Sequence, residues 1–495
     1  MSEQRMQQQI EAACAHIAQH AESVRHSRYR QRYHFMPQCG WLNDPNGLIY
    51  FKGKYHFFYQ YNPYSGFWDR MFWGHAVSED LLHWDYLPVA LAPSEEYDDH
   101  PKGGCFSGSA IVIGDKLWVM YTGTCNNGNG FEQSQCVAWS EDGVQFHKYE
   151  GNPVLTAPEG VRPDCFRDPK VWEHDGLYYM VCGASRDGKA QALVYRSADF
   201  LHWEFFNVLA ESRGEWGYMW ECPDFFPLGD KYVLMFSPMG GGERTSVYLV
   251  GDFDYETGKF QWSTSGENDW GFDYYAPQSF LAPDGRRIMV AWANSWDWMP
   301  TWKDWGPTYR EGWNGFFDLP REVRLLPDNS LQFLPVKELR ALRRDPQFKD
   351  VLELQPDQEQ SVTAGDGVAF ELRFTLDLEH TDAEQVELSL RCGEGRRTVC
   401  TLDLKHSMMY VDRNNSDGWS RGVSKSPLFV RDKTLLDVHV FSDQSSLEIF
   451  TSDCTTNHSL NVFASDAQNG ILLCARGGGA RLLSLEGYGL ERTFC

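Results

Sequence analysis

A turn followed by a short aromatic strand recurs five times along the first two-thirds of this 495-residue chain. The copies read "GKYHFFYQY" from Gly53, "GDKLWVMYTG" from Gly114, "DGLYYMVCG" around Gly176, "GDKYVLMFS" from Gly229 and "DGRRIMVAW" around Gly285. The glycine spacings are 61, 62, 53 and 56 residues. A second motif travels with the first: "SEDLLHW" at Ser78, "SEDGVQF" at Ser140 and "SADFLHW" at Ser197. Each unit is therefore strand, turn, strand, then a polar S-x-D turn into a further strand. Such units, with no amphipathic helix between them, cannot bury both sheet faces alone. Radial stacking solves that problem, so the repeat predicts a five-bladed β-propeller over residues 31–335.

The flanks obey other rules. Residues 1–30 read as a helical appendage, and "VKELRALRRD" at 336–345 reads as a charged helical linker. From 346 to 495 the period changes to two: "VAFELRFTLDLE", "QVELSLRC", "TVCTLDLKH" and "LLDVHVFSDQSSLEIF" alternate as strands of an antiparallel β-sandwich do. The predicted fold class is all-β, propeller followed by sandwich.

A formal charge of −24 argues against nucleic acid and against an anionic membrane surface as partners. No apolar run is long enough to span a bilayer, and "MSEQRMQQQIEAACAHIAQH" has no signal-peptide core, so a cytoplasmic location is expected. Thirteen cysteines without a CxxC pair fit reduced thiols. Neither HExxH nor Cys/His metal spacing occurs, so no metal and no cofactor are expected. Oligomeric state is not legible.

The chemistry lies just before the repeat glycines. "WLNDPNG" at 41–47 holds Asp44 in turn-forming sequence. Asp44 stands nine residues before Gly53, Asp168 eight before Gly176 and Glu221 eight before Gly229. Phe106 and Ser107 hold the place in the second unit, and "FDYYAPQ" in the fifth brings Asp273 somewhat earlier. Since the first strand of each propeller blade lines the central channel, Asp44, Asp168 and Glu221 should converge in one funnel. Like charges packed together are costly unless something exploits them. Asp168 adjoins Arg167, which is expected to keep it ionised. Asp44, short and fixed by a turn, suits an ionised nucleophile. Glu221 beside Trp220 and Cys222, facing two other acids, suits the proton donor. An acid for a leaving oxygen and a carboxylate for an anomeric carbon are what glycoside hydrolysis requires.

At these residues the sequence resembles the invertase (β-fructofuranosidase) family of retaining glycoside hydrolases. "WLNDPNG", "FYQYNP", "WDRMFWGHAVSEDLLHW", "FSGSA", "FRDPKVW", "WECPD", "YYAPQ" and "DLPRE" occur in that family's order, with "WL" where many members have "WM". The resemblance implies the same propeller and sandwich, Asp44 as nucleophile, Glu221 as acid/base and Asp168 as transition-state stabiliser. It also implies that Asn43, Gln60, Trp68, Ser107 and Arg167 hold a fructosyl unit, with Trp41, Leu42 and Phe106 shaping the pocket; Asp273 is a further substrate-binding candidate from its place in the fifth repeat. His75 and His83 read as structural. The implied partner is a small sugar: sucrose, sucrose 6-phosphate or a short fructan. An inverting pentosidase, a fructosyltransferase and a non-catalytic sugar-binding protein are the competing readings. Loops 94–104, 126–132 and 296–312, with Lys303 and Arg310, are expected to face the leaving group.

Overall fold

The computed structural model describes residues 2–296, 306–431 and 434–493. By contacts the chain forms two compact units: Met1–His26, Met36–Glu267 and Tyr275–Ser330 make the first, and Ser27–Phe35, Asn268–Tyr274 and Leu331–Cys495 the second.

The first unit is a five-bladed propeller. Its inner strands are Gly40–Phe51, Gly104–Ile113, Val161–His174, Met219–Leu228 and Tyr275–Leu281. Each touches the next and the fifth touches the first, which closes the ring. In every blade the inner strand pairs antiparallel with the strand that follows it. Tight two-residue turns join these pairs in blades one to four, between Phe51 and Lys54, Ile113 and Lys116, His174 and Leu177, and Leu228 and Lys231. The repeat glycines serve these turns by holding positive φ, as two-residue hairpins demand.

The S-x-D motif also has a physical origin. Ser78, Ser140 and Ser197 each accept a backbone N–H three residues on, from Leu81, Gly143 and Phe200 (2.9, 2.9 and 3.0 Å). Asp80, Asp142 and Asp199 accept the amides of His83, Gln145 and His202 (2.8, 2.9 and 2.9 Å). Leu81, Gly143 and Phe200 share a left-handed conformation (φ 68°, 81° and 69°), so one turn geometry repeats in three blades. His83 bonds Asp80 in this exposed turn, while His75 is fully buried and stacks on Phe58.

Helix Ser2–Arg25 belongs to the first unit and buries Met6, Ile10, Ala13 and Val24 along one stripe. The following stretch, Ser27–Phe35, belongs to the second unit, so the predicted appendage is divided.

The second unit is a β-sandwich of two six-stranded sheets. Alternate residues such as Phe370, Leu372, Phe374 and Leu376 fill its core against Leu388, Leu390 and Leu473. Of the predicted helical linker, Lys337–Leu342 is a 3-10 helix, and a sandwich strand already starts at Arg343.

Candidate active site

Regular pleating would send alternate side chains of an inner strand to opposite faces. A break in register intervenes in all five. It falls between Leu42 and Pro45, Phe106 and Gly108, Arg167 and Lys170, Glu221 and Asp224, and Tyr275 and Gln278. In blades three to five the residue inside the break has positive φ: Asp168 (65°), Cys222 (49°) and Ala276 (51°). A proline follows each, tolerated because the bulge interrupts the hydrogen-bond ladder. "RDP", "ECP" and "YAP" are thus one structural element repeated.

This alignment corrects the equivalence read from glycine spacing. Gly176 is the second residue of its turn and Gly229 the first, so an equal count back lands one residue apart. Asp168 is equivalent to Cys222, and Glu221 to Arg167.

Despite that offset the three acids meet. Asp44, Asp168 and Glu221 line one cavity of about 570 Å³ together with Asn43, Gln60 and Trp68. Phe106, Ser107 and Arg167 also line it. Asp44 Oδ2 accepts from Ser107 Oγ (2.7 Å) and Cys222 Sγ (3.3 Å). Asp168 Oδ2 accepts from the Cys222 amide (2.9 Å), and Asp168 N donates to Thr122 Oγ1 (2.9 Å). Burial pushes Asp44 up to about 6 and the charge of Glu221 adds to it, against the hydrogen bonds from Ser107, Asn43 and Cys222. Burial also lifts Asp168 to about 7, opposed by Arg167 and reinforced by Glu221 and Asp44.

Arg167 does not serve Asp168 alone, as its place in the chain implied. Its Nε and Nη2 donate to Glu221 Oε1 (3.1 and 2.7 Å), while Nε lies 3.8 Å from Asp168 Oδ2. The bulge turns neighbours 167 and 168 apart, and the guanidinium spans to the next blade. Tyr275 Oη donates to Glu221 Oε2 at 2.5 Å, so both oxygens of Glu221 are held. Sequence reasoning passed over Tyr275 and took Cys222 only as a neighbour of Glu221; the signal was the recurring x-x-Pro triplet at the bulges.

Three predicted residues do not reach the cavity. Trp41 and Leu42 are completely buried behind it. Trp41 acts one layer back, where its Nε1 donates to Asn43 Oδ1 (2.7 Å) and fixes that amide. Asp273 belongs to the second unit, where it is 1% exposed and accepts from Arg413 Nη1 and the Asn461 amide, both at 2.7 Å. Of the predicted loops, 94–104 supplies Lys102 and 126–132 supplies Phe131 to the cavity wall, and Trp296 opens the third. Arg310 is exposed, and Lys303 lies outside the described residues.

Residues 34–335 match the glycosyl hydrolases family 32 N-terminal domain and 338–488 the C-terminal domain of that family. The sucrose-6-phosphate hydrolase of Zymomonas mobilis subsp. mobilis is 37% identical, over 94% of this chain and 92% of its own length. The raffinose invertase of Escherichia coli is 39% identical, over 91% of this chain and 93% of its own. Among solved structures, the Bombyx mori GH32 β-fructofuranosidase aligns with a TM-score of 0.81 at 33% identity, covering 98% of both chains. The sucrose-6-phosphate hydrolase from Lactobacillus gasseri aligns at 0.84 and 26% identity, covering 97% of both. With both of its units matched in order, this chain belongs to glycosyl hydrolase family 32.

Proposed function

We propose that Asp44, Glu221 and Asp168 divide the work of a β-fructofuranosidase, the retaining fructosidase activity that this family membership and these relatives give the chain. The convergence of three carboxylates on one cavity, two of them beside the Arg167 guanidinium, carries the assignment of roles. Asp44, in its ionised form, attacks C2 of a terminal fructofuranosyl group. Glu221 passes a proton to the departing glycosidic oxygen, and a fructosyl ester forms on Asp44. The ester is neutral, so the charge that Glu221 faced is gone. Glu221 then takes a proton from water, whose oxygen attacks C2 and frees Asp44.

Burial and the neighbouring acids raise Asp44 to about 6 and Asp168 to about 7, so the cluster binds protons more readily than separate carboxylates do. Arg167 and Tyr275 hold Glu221 in one orientation, which keeps its carboxyl aimed through both steps. Asp168, held at its bulge by the Cys222 amide, grips sugar hydroxyls most firmly as the ring gains positive charge. Asn43, Gln60, Ser107 and Trp68 surround the fructosyl unit.

The substrate is a small fructosyl sugar; a Bombyx mori mutant relative was solved in complex with sucrose. We read sucrose, sucrose 6-phosphate and short fructo-oligosaccharides as the candidate substrates and the cytoplasm as the compartment. None of the twelve described cysteines forms a disulfide, which supports that compartment. Proton NMR of a sucrose digest is the test: β-fructofuranose first supports double displacement, and the α-anomer first overturns it. A kcat/KM panel on sucrose, sucrose 6-phosphate and raffinose ranks the substrates.

A further inference from the structure

The sandwich has a cavity of its own, about 310 Å³, and every residue that lines it lies in the second unit. It sits on the outer face of the sheet that contains Phe370–Asp377 and Leu435–Ser442, beneath the 3-10 helix Lys337–Leu342. The outer face of a sandwich sheet usually carries solvated, independent polar residues. Here they are locked together. Arg343 forks onto Glu371, Nε to Oε2 at 2.7 Å and Nη2 to Oε1 at 2.6 Å, and His439 Nε2 lies 2.7 Å from Glu371 Oε1. Glu371 is only 1% exposed.

Burial lowers the pKa of His439 against the opposing pull of Glu371, so the ring donates through Nε2 and keeps Nδ1 as an acceptor. At the rim Arg373 is loosely placed, 4.0 Å from Glu486, and the Arg340 guanidinium has no partner among the described residues. Ser484, also in the wall, holds φ 51° where the strand breaks register. The propeller bulges around the same device at its own cavity, and strain of this kind clusters at binding sites.

Four basic and four acidic side chains share the wall, so neither an anion nor a cation is favoured. What the wall does offer is paired donors and acceptors on planar groups, with a rigid floor and a movable rim. Vicinal hydroxyls need that arrangement, and the volume falls at the small end for ligand sites. We propose that this cavity is a second sugar site, holding one neutral hexose unit, free or at the end of an oligosaccharide.

Calorimetric titration of full-length Asp44→Asn protein with sucrose, D-fructose and D-glucose tests it. Two sucrose or fructose molecules should bind per chain, falling to one when Arg340 and Arg373 are both changed to Ala. Two-site binding by fructose with one-site binding by sucrose marks the site as one for free hexose; two-site binding by sucrose as well marks it as one for chain ends. The same Arg340/Arg373 change in otherwise wild-type protein should leave kcat/KM on sucrose unaltered. His439→Gln replaces the double change if that protein does not fold. One sugar per chain before and after either change, with all three sugars, overturns the proposal.

Discussion

Both units of this protein bury carboxylates in β-sheet, and the electrostatic outcomes are opposite. In the propeller, Asp44 and Asp168 are raised to about 6 and 7, and the one guanidinium beside them, Arg167, is divided between Asp168 and Glu221. In the sandwich, Glu371 is lowered to about 2 despite burial, because His439 and Arg343 bind it, and Asp443 is lowered by His34. Burial alone therefore says little about function. A buried acid whose charge is met belongs to the architecture; one whose charge is shared out too thinly is held ready for chemistry.

The largest effect should come from removing an unmet charge. Asp44→Asn is expected to cut kcat by ~10^4-fold or more, as loss of a nucleophile does. Stability should move the other way. A carboxylate raised in the folded state stabilises fully below its ordinary value of 3.8 and loses that contribution as pH rises through about 6. At pH 7 the variant should therefore melt no lower than wild type. A drop in melting temperature would place Asp44 in the architectural class.

Next in size is removal of a met charge. Asp273→Asn leaves Arg413 buried without its partner, which should cost about 3–5 kcal/mol in denaturant unfolding. The fraction still folded should keep its KM for sucrose. A raised KM with unchanged stability would return Asp273 to the substrate site.

How much of this could be read from the sequence follows the same divide. The repeat and the S-x-D turns were legible because their causes are local: a glycine at positive φ, a serine and an aspartate capping nearby amides. The convergence of Asp44, Asp168 and Glu221 was legible because radial symmetry carries equivalent segments to one axis. What failed was register. A hairpin works with its glycine first or second in the turn, so counting from glycine misaligned Glu221 by one residue. Bulges then undid simple adjacency, sending Arg167 to Glu221 and hiding Trp41 and Leu42 behind the wall. Asp273 was lost for another reason: nothing in "FDYYAPQ" reveals that residues 268–274 belong with the second unit. Only a partner remote in sequence, Arg413, makes its role plain.

A smaller test uses the histidine that meets two acids. His34 is buried between Asp443 Oδ2 (2.8 Å) and Glu448 Oε1 (2.9 Å). Burial opposes its charge, yet the two hydrogen bonds raise it to about 9. Its stabilisation is complete below the ordinary value of 6.5 and is lost as pH climbs through about 9. That window is worth about 3 kcal/mol. Melting curves between pH 6 and 9.5 should show the loss in wild type, and a shallower slope in His34→Gln.

The smallest effect probes how finely the unmet charge is tuned. Ser107 donates to Asp44 Oδ2 and so holds that acid lower than burial and Glu221 alone would leave it. Since attack needs the ionised form, the acid limb of kcat/KM against pH should lie near 6. Ser107→Ala removes one charge-assisted hydrogen bond, and the limb should move upward by about one unit, near 1.4 kcal/mol. The direction matters more than the size. Losing a donor can only make the carboxylate harder to ionise, so a limb that stays put or shifts downward would belong to some other group. In the sandwich the matching change, His439→Gln beside Glu371, should leave the activity profile where it was, because a fully met charge has no part in setting it.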